Sequence, residues 1–381
     1  MRPKAIHQLI PSLATRDAIG SHTLATQDLL RHMGFESEIY AGDFPPELAD
    51  RAKSIDSFDW APRRARRGSR SGDSPSTWLL YQCSIGSVIA DLLLDRPEPV
   101  LINYHNITPA SLLEDWEPAV CHGVNQGRHQ LAKLSGVARA AIAVSRFNEL
   151  ELIQAGYRRT AVAPLLLDLD SFVTGVDADR LARLAQAKAT GGSDWLFVGR
   201  LSPHKAQHDL IKALAAYRTL YDPRARLHLV GGMISESYQR ALVGFAAALG
   251  LADAVDFAGS VTEDELGSYF ASADVLVSAS EHEGFCVPLL EAMAHGLPVL
   301  AYAAGAVPET VASAGILVTD KSPLALAAAA HRLACDADLR SRVVRAGHQR
   351  VEHFAPERTR SIMVGAIESA IESVPRDKGA A

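Results

Sequence analysis

Cysteine is scarce in this 381-residue chain. Cys83, Cys121, Cys286 and Cys335 stand far apart and form no Cys-x-x-Cys pair, which argues against a disulfide framework and a structural zinc site. Long apolar runs are missing as well. No stretch reaches the roughly 18 apolar residues a membrane-spanning helix needs. The opening MRPKAIHQLIPSLA is apolar only briefly, interrupted by His7, Gln8 and Pro11, and reads as a buried strand, not a secretory leader. There is no excess of positive charge: 38 Lys and Arg against 44 Asp and Glu leave a net charge of −6, so no general attraction to nucleic acid is expected. No Gly-x-Gly-x-x-Gly follows the first apolar run, which disfavours a dinucleotide-dependent dehydrogenase. No short-period repeat is present, which disfavours a solenoid. A reducing cytoplasm is the simplest compartment for such a composition.

What the chain does have is alternation. Short apolar runs alternate with longer helical patterns over nearly its whole length. Strands are expected at Ala5–Ile10, Glu38–Ala41, Thr77–Gln82, Val100–Tyr104, Ala140–Val144 and Thr160–Ala163, then at Trp195–Val198, Arg226–Val230, Val255–Ala258, Asp274–Ser278, Val299–Tyr302 and Ile316–Val318. Helices such as Thr23–Met33, Asp209–Tyr221 and Tyr238–Leu249 lie between them. This order predicts an α/β protein with parallel sheets covered on both faces. Two halves with about six strands each imply two Rossmann-like, doubly wound domains facing across a cleft. The boundary falls between Pro164 and Trp195, with a helix over Asp177–Ala189 before a flexible Thr190-Gly191-Gly192-Ser193. The tail from Pro375 is small and polar and is expected to fray. The stretch 61–76, APRRARRGSRSGDSPS, reads two ways. It is too polar to offset its ordering entropy and so is disordered, or Arg63, Arg64, Arg66, Arg67 and Arg70 meet an anionic membrane face or acceptor.

The densest chemistry lies in Ser280–Val299, SEHEGFCVPLLEAMAHGLPV. Asp274–Ser280 reads as a buried strand running into a loop that carries Glu283. Glu291 falls in the first turn or so of a helix that stops at Gly296 and Pro298. Ligands bind at such carboxyl ends of parallel strands, and two carboxylates there suit a ligand rich in hydroxyls. A second cluster follows another strand: Gly199 turns the chain, and Arg200 and Lys205 emerge before the next helix. A planar guanidinium and a compact ammonium at a strand end suit a diphosphate. In the first half, Gly20 sits between the first strand and its helix, where backbone can approach an anion. His105 follows the Val100–Tyr104 strand within a polar Tyr-His-Asn-Ile-Thr. His204 and His208 read as surface residues, and Glu309 as a helix cap or pocket residue. The Asp-x-Asp pairs at 168–170, 177–179 and 336–338 read as surface acids or caps, so no bound metal is inferred.

The string EGFCVPLLEAMAHGLPV, with Glu, seven residues, Glu, together with Gly199-Arg200 and Lys205, resembles the nucleotide-sugar glycosyltransferases of family 4. These are retaining enzymes of the two-domain GT-B fold, also grouped as glycosyl transferases group 1. The resemblance implies residues 1–165 as an acceptor-side domain, 166–355 as the donor-binding domain, and 356–375 as a helix returning to the first. It implies transfer of a hexose-type sugar from a nucleoside diphosphate to a glycan, lipid-linked or small-molecule hydroxyl, with no metal and no other cofactor. Glu283 and His105 would face the transferred sugar, and Glu291 the donor ribose. Arg200, Lys205 and Gly20 would hold the diphosphate, and the turn Gly284, Phe285, Cys286 and Val287 the donor sugar. Cys286 stands where the family most often has Gly; if that position serves through its N–H, Cys can do the same. Another GT-B chemistry, a phosphorylase or a sugar-nucleotide epimerase, and a non-catalytic partner of the same fold are the alternatives. Intact Arg200, Lys205, Glu283 and Glu291 together argue against the last. Cytoplasmic residence, peripheral at the inner membrane face through the arginine run, completes the expectation.

Overall fold

A computed structural model describes residues 2–15, 17–60, 76–173 and 175–372. The arginine-rich stretch and the tail from Pro375 lie outside the described residues. The chain divides into two compact units. The first comprises residues up to Ile107, His122–Leu167 and the helix from Pro356; the second comprises Thr108–Cys121 and Asp168–Ala355. The first boundary therefore falls at Leu167, and the segment 108–121 groups with the second unit. The reason is local: Glu117 accepts a hydrogen bond from Ser202, and the Trp116 carbonyl accepts one from Ser235.

In the first unit, seven parallel strands lie in the order β3-β2-β1-β4-β5-β6-β7. They are β1 Ala5–Ser12, β2 Ile39–Asp43, β3 Ala52–Ser54, β4 Thr77–Cys83, β5 Val100–Tyr104, β6 Ala138–Ala143 and β7 Thr160–Val162. Every residue of β5 is buried, as expected where helices cover both faces of a parallel sheet. The helix Pro356–Glu372 lays Met363, Ile367 and Ala370 against Ile6, Leu30, Trp78 and Leu80. Met363 and Ile367 are fully buried, each worth about 1.5–3 kcal/mol of apolar transfer. β3 was not expected. Its three residues Ala-Lys-Ser pair with β2, but only Ala52 is buried, in a cluster with Ile39 and Ala41.

In the second unit, six parallel strands lie in the order β10-β9-β8-β11-β12-β13. They are β8 Asp194–Val198, β9 Arg226–Val230, β10 Val255–Gly259, β11 Val275–Ser278, β12 Val299–Tyr302 and β13 Ile316–Val318. Counted from β8 this is a 3-2-1-4-5-6 order, with its reversal between β8 and β11. The core joins Trp195, Phe197, Leu210, Leu214, Leu227, Leu229 and Val277. Among the described residues no helix is long and apolar enough to cross a membrane.

Candidate functional site

In the second unit, the loops after β8 and β11 leave the sheet on either side of its reversal point. After β8 the chain turns at Gly199, and Leu201 makes a single bridge to Met233. A short turn over Pro203–Lys205 follows, and Ala206, at φ 51°, precedes the helix Gln207–Leu220. Gln207 Nε2 donates to the Arg200 carbonyl at 3.0 Å and fixes this loop. Arg200 is exposed, and its guanidinium makes no hydrogen bond or ion pair among the described residues. Lys205 reaches across to the β11 loop, where Nζ meets Glu283 Oε1 at 2.7 Å. The Lys205 and Glu283 side chains are 20% and 8% exposed, so this ion pair is largely out of water.

Glu283 is held by its backbone as well. Its carbonyl accepts from Ala306 N–H at 2.8 Å. Gly305, at φ 56°, lies so close that a Cβ there would fall 2.5 Å from the same carbonyl oxygen. Cys286 has φ 71° and ψ 70° and immediately precedes the helix Val287–Ala294. That left-handed conformation is the physical reason a Gly suits this position. Cys adopts it at a steric cost, so the two residues are not equivalent there. Burial first, and the neighbouring Glu283 second, push the Cys286 thiol well above its ordinary range. Gly284 and Phe285 are buried within the same turn, and Val287 opens the helix. Thr310 Oγ1 donates to the Phe285 carbonyl. Glu291 is the fifth residue of that helix, past its first turn. Its carboxyl has no protein partner among the described residues, and burial pushes it up to about 7. A second set of charges braces these loops: Lys321 joins Asp209 at 2.7 Å and Glu281 at 2.5 Å, and Glu281 N–H donates to the His204 carbonyl at 2.7 Å.

Glu117 belongs to this side although its sequence context gave no sign of it. Ser202 Oγ–H donates to Glu117 Oε1 at 3.0 Å. Oε2 is buried without a hydrogen bond. Burial raises this carboxyl, while the Ser202 bond and the charge of Arg200 oppose the rise.

In the first unit, the helix after β1 begins at Ala18, not near Thr23, because Asp17 caps it and accepts from Gly20 N–H. Gly20 thus lies inside the first turn. A Cβ there would fall 1.9 Å from the Ala14 carbonyl oxygen, so close packing of the helix on the loop after β1 already requires Gly. His105 is buried; its Nε2 lies 2.6 Å from Gln82 Oε1, and its ring packs edge-on against His22 at 5.2 Å.

Other expected residues also find places. Asp177 and Asp336 are helix N-caps, and no group of three or more metal-ligating side chains occurs among the described residues. His204 and His208 are not a solvated pair on one helix face. The left-handed Ala206 separates them, Ser202 lies 3.0 Å from His204 Nδ1, and burial pushes His204 down to about 2. Glu309 is exposed in the first turn of the short helix Val307–Val311.

Residues 181–350 match the glycosyl transferases group 1 family. The chain is 36% identical over 227 residues to a D-inositol 3-phosphate glycosyltransferase of Geodermatophilus obscurus, covering 57% of this chain and 49% of that protein. It is 32% identical over 246 residues to that of Stackebrandtia nassauensis, covering 61% and 54%. The family match lies wholly within the second unit. It spans about half the length of the curated relatives it matches. Among solved structures, Anabaena HepE in complex with UDP-glucose superposes with a TM-score of 0.69 at 19% identity, covering 96% of this chain and 99% of that one. Sucrose-phosphate synthase from Thermosynechococcus elongatus superposes with a TM-score of 0.70 at 19% identity, covering 97% and 100%. These likenesses establish the GT-B fold.

The group 1 match takes in Arg200, Lys205, Glu283, Gly284, Phe285, Cys286, Val287 and Glu291. Gly20 and His105 fall outside it. Within the group 1 region, the two basic and two acidic residues gather on the loops and helix that flank one sheet reversal. Sequence spacing gave the strand ends but not the direct Lys205–Glu283 pairing.

Proposed function

We propose that the chain transfers a hexose-type sugar from a nucleoside diphosphate to a hydroxyl acceptor, with retention of anomeric configuration and no bound metal ion. The observation that carries this reading is the Lys205–Glu283 pair at 2.7 Å, flanked by an Arg200 and a Glu291 whose side chains make no hydrogen bond or ion pair among the described residues. The Arg200 fork and the Lys205 ammonium take the diphosphate. As the anomeric C–O bond breaks, negative charge builds on the phosphate oxygen and positive charge on the sugar ring. The two cations stabilise the first and Glu283 the second, which is the preorganised electrostatic help that lowers such barriers. The acceptor oxygen bonds to the anomeric carbon from the face the diphosphate leaves, and its proton passes to the departing phosphate. Glu291 accepts hydrogen bonds from the ribose hydroxyls, a part of the donor that does not change during reaction. UDP is the first nucleotide to try, since it is the one in the HepE complexes. A phosphorylated polyol, the acceptor class in the relatives' name, is the first acceptor to try.

The test uses thermal shift with UDP, GDP, ADP and their sugars in excess EDTA, then turnover with acceptor under the same conditions. A ligand at about 100 times its Kd adds roughly 2.7 kcal/mol of stability. Stabilisation by one diphosphate and an α-configured product from an α-donor are expected. Activity lost to EDTA and restored by manganese or magnesium would overturn the metal-free reading.

A further inference from the structure

The segment Thr108–Cys121 groups with the second unit although the chain on either side of it belongs to the first. The Trp116 ring packs edge-on against Tyr238, with centroids 5.4 Å apart, and the Trp116 carbonyl accepts from Ser235 Oγ–H at 3.1 Å. Both contacts fasten the segment to the start of the helix Glu236–Ala248. The bond from Ser202 Oγ–H to Glu117 Oε1, at 3.0 Å, ends elsewhere. It falls on the loop after β8, which carries Arg200 and Lys205.

Ser202 is the point from which that loop can be set, since it lies between the two cations in sequence. It is 0% exposed and stands at the N-cap of the turn Pro203–Lys205, yet its side chain makes no capping bond. Serine at such a position ordinarily offers its oxygen to an N–H of the turn itself. Here the hydroxyl is turned to Glu117 and lies 3.0 Å from His204 Nδ1. Backbone groups hold the flanks: Leu201 N–H donates to the Gly232 carbonyl at 2.8 Å, and Glu281 N–H to that of His204 at 2.7 Å.

A carboxylate is an unfavourable choice if holding the loop is its whole task. Glu117 is 4% exposed, and its Oε2 is buried with no hydrogen bond. An oxygen left so costs about 1–3 kcal/mol, and more when charged. Glutamine would offer Ser202 the same kind of oxygen with no charge to bury. The reason for the charge lies in what faces it. Tyr238 and Cys121 are pushed up by burial and are uncharged, and His204, across Ser202, is kept neutral by burial. Burial raises the Glu117 carboxyl, and the charge that opposes this rise is that of Arg200. A carboxylate near Arg200 attracts the guanidinium and repels a phosphate placed on it. Such repulsion keeps two cations from holding a product too tightly, and product release sets many turnover rates.

We propose that Glu117 is a positioning residue for the diphosphate: its bond to Ser202 sets the loop that presents Arg200 and Lys205, and its charge limits how tightly that loop holds the leaving group. The diphosphate rests on the sugar-transfer reading above; the setting of the loop does not.

The experiment compares Ser202→Ala, Glu117→Gln, Glu117→Leu and Ser202→Ala/Glu117→Leu with wild type, all in the full chain. Each is titrated calorimetrically with whichever of UDP, GDP and ADP binds the wild type, and with its nucleoside. Ser202→Ala is expected to weaken diphosphate binding about three- to tenfold, the worth of one hydrogen bond, and to have no effect in the Glu117→Leu background. Glu117→Gln keeps the bond and loses the charge, and should bind the diphosphate about two- to fivefold more tightly, the size of a surface charge effect. Nucleoside binding should stay within about twofold throughout, which a general loss of structure would not spare. In the ligand-free chain, the amides of Leu201, Lys205 and Ala206, bonded to Gly232, Ser202 and Pro203, should exchange faster with deuterium in Ser202→Ala. An equal loss from Ser202→Ala in both backgrounds, Glu117→Gln binding no tighter than wild type, or unchanged exchange in the loop overturns the proposal. Should Glu117→Leu fail to fold, Glu117→Gln and the exchange rates decide. Absence of binding by all three diphosphates would refute the sugar-transfer reading, while the exchange rates still decide whether the loop is set through Ser202.

Discussion

Lys205 and Arg200 are given the same task toward a diphosphate, yet the fold gives them different tasks toward the protein, and this can be measured. Lys205→Ala strands the Glu283 carboxylate, which is 8% exposed, without its partner. Removing one member of a buried pair costs about 3–5 kcal/mol. Lys205 itself keeps 20% exposure, which places the expected loss near the low end, about 3 kcal/mol. Arg200 is exposed and makes no side-chain hydrogen bond or ion pair among the described residues, so Arg200→Ala should stay within about 0.5 kcal/mol of wild type in stability. Each substitution should nonetheless weaken UDP binding by about 1.5–3 kcal/mol and uridine binding far less. Urea unfolding, with calorimetric titration of UDP and uridine, reads all of these. Lys205→Ala/Glu283→Gln should be more stable than Lys205→Ala alone, because the buried charge is gone. Equal stability losses for the two single variants, or no recovery in the double variant, would refute the reasoning.

Glu291 should show a trade between stability and binding. With its folded value near 7 against an ordinary 4.5, stability is lost as pH climbs from the unfolded value through the folded one. Glu291→Gln should therefore be more stable than wild type by about 1–3 kcal/mol at pH 8, with the gap closing below pH 5, while its UDP affinity falls; urea midpoints across pH and a UDP titration check both. His228, pushed down by burial but raised on balance by its bonds to Asp194 and Asp256, should act through its charged form. Its contribution is complete below about pH 6.5 and lost as pH rises through the raised folded value, so the urea midpoint of His228→Gln should fall less over that window than that of wild type. At Cys286, relief of a left-handed conformation worth about 1–2 kcal/mol should outweigh the roughly 0.5–1 kcal/mol of added chain entropy in glycine. Melting temperature should rank Gly above Cys, with Val lowest.

The sequence made the strands legible because buried parallel strands are continuous apolar runs closed by Gly, Pro or a polar turn. All twelve expected strands are present, several shifted at their ends by one or two residues. β3 escaped because Ala-Lys-Ser buries only its alanine. The helix starts at Ala18 and Gln207 were misjudged because Asp17 and the left-handed Ala206 act through local backbone geometry, which hydrophobic periodicity does not report. Arg200, Lys205, Glu283 and Glu291 were legible because their motifs are compact. The Lys205–Glu283 bond joins residues 78 apart, and no local pattern announces it. Glu117 sits in an unremarkable acidic stretch, and only its bond to Ser202 reveals it.

The chain crosses between its units after residues 107, 121, 167 and 355. This orders its maturation on the ribosome. All residues of the second unit have been synthesised by Ala355, whereas the core of the first still waits for Met363, Ile367 and Ala370. The half of the chain made first is thus the half finished last. Ile6, Leu30 and Trp78 remain without their closing helix while some two hundred and fifty residues more are added after the segment they pack within. Domains usually fold in the order they are synthesised; here the first unit is a client of the helix Pro356–Glu372, and any pause or cleavage before Pro356 leaves it, and not the second unit, as the species exposed to aggregation.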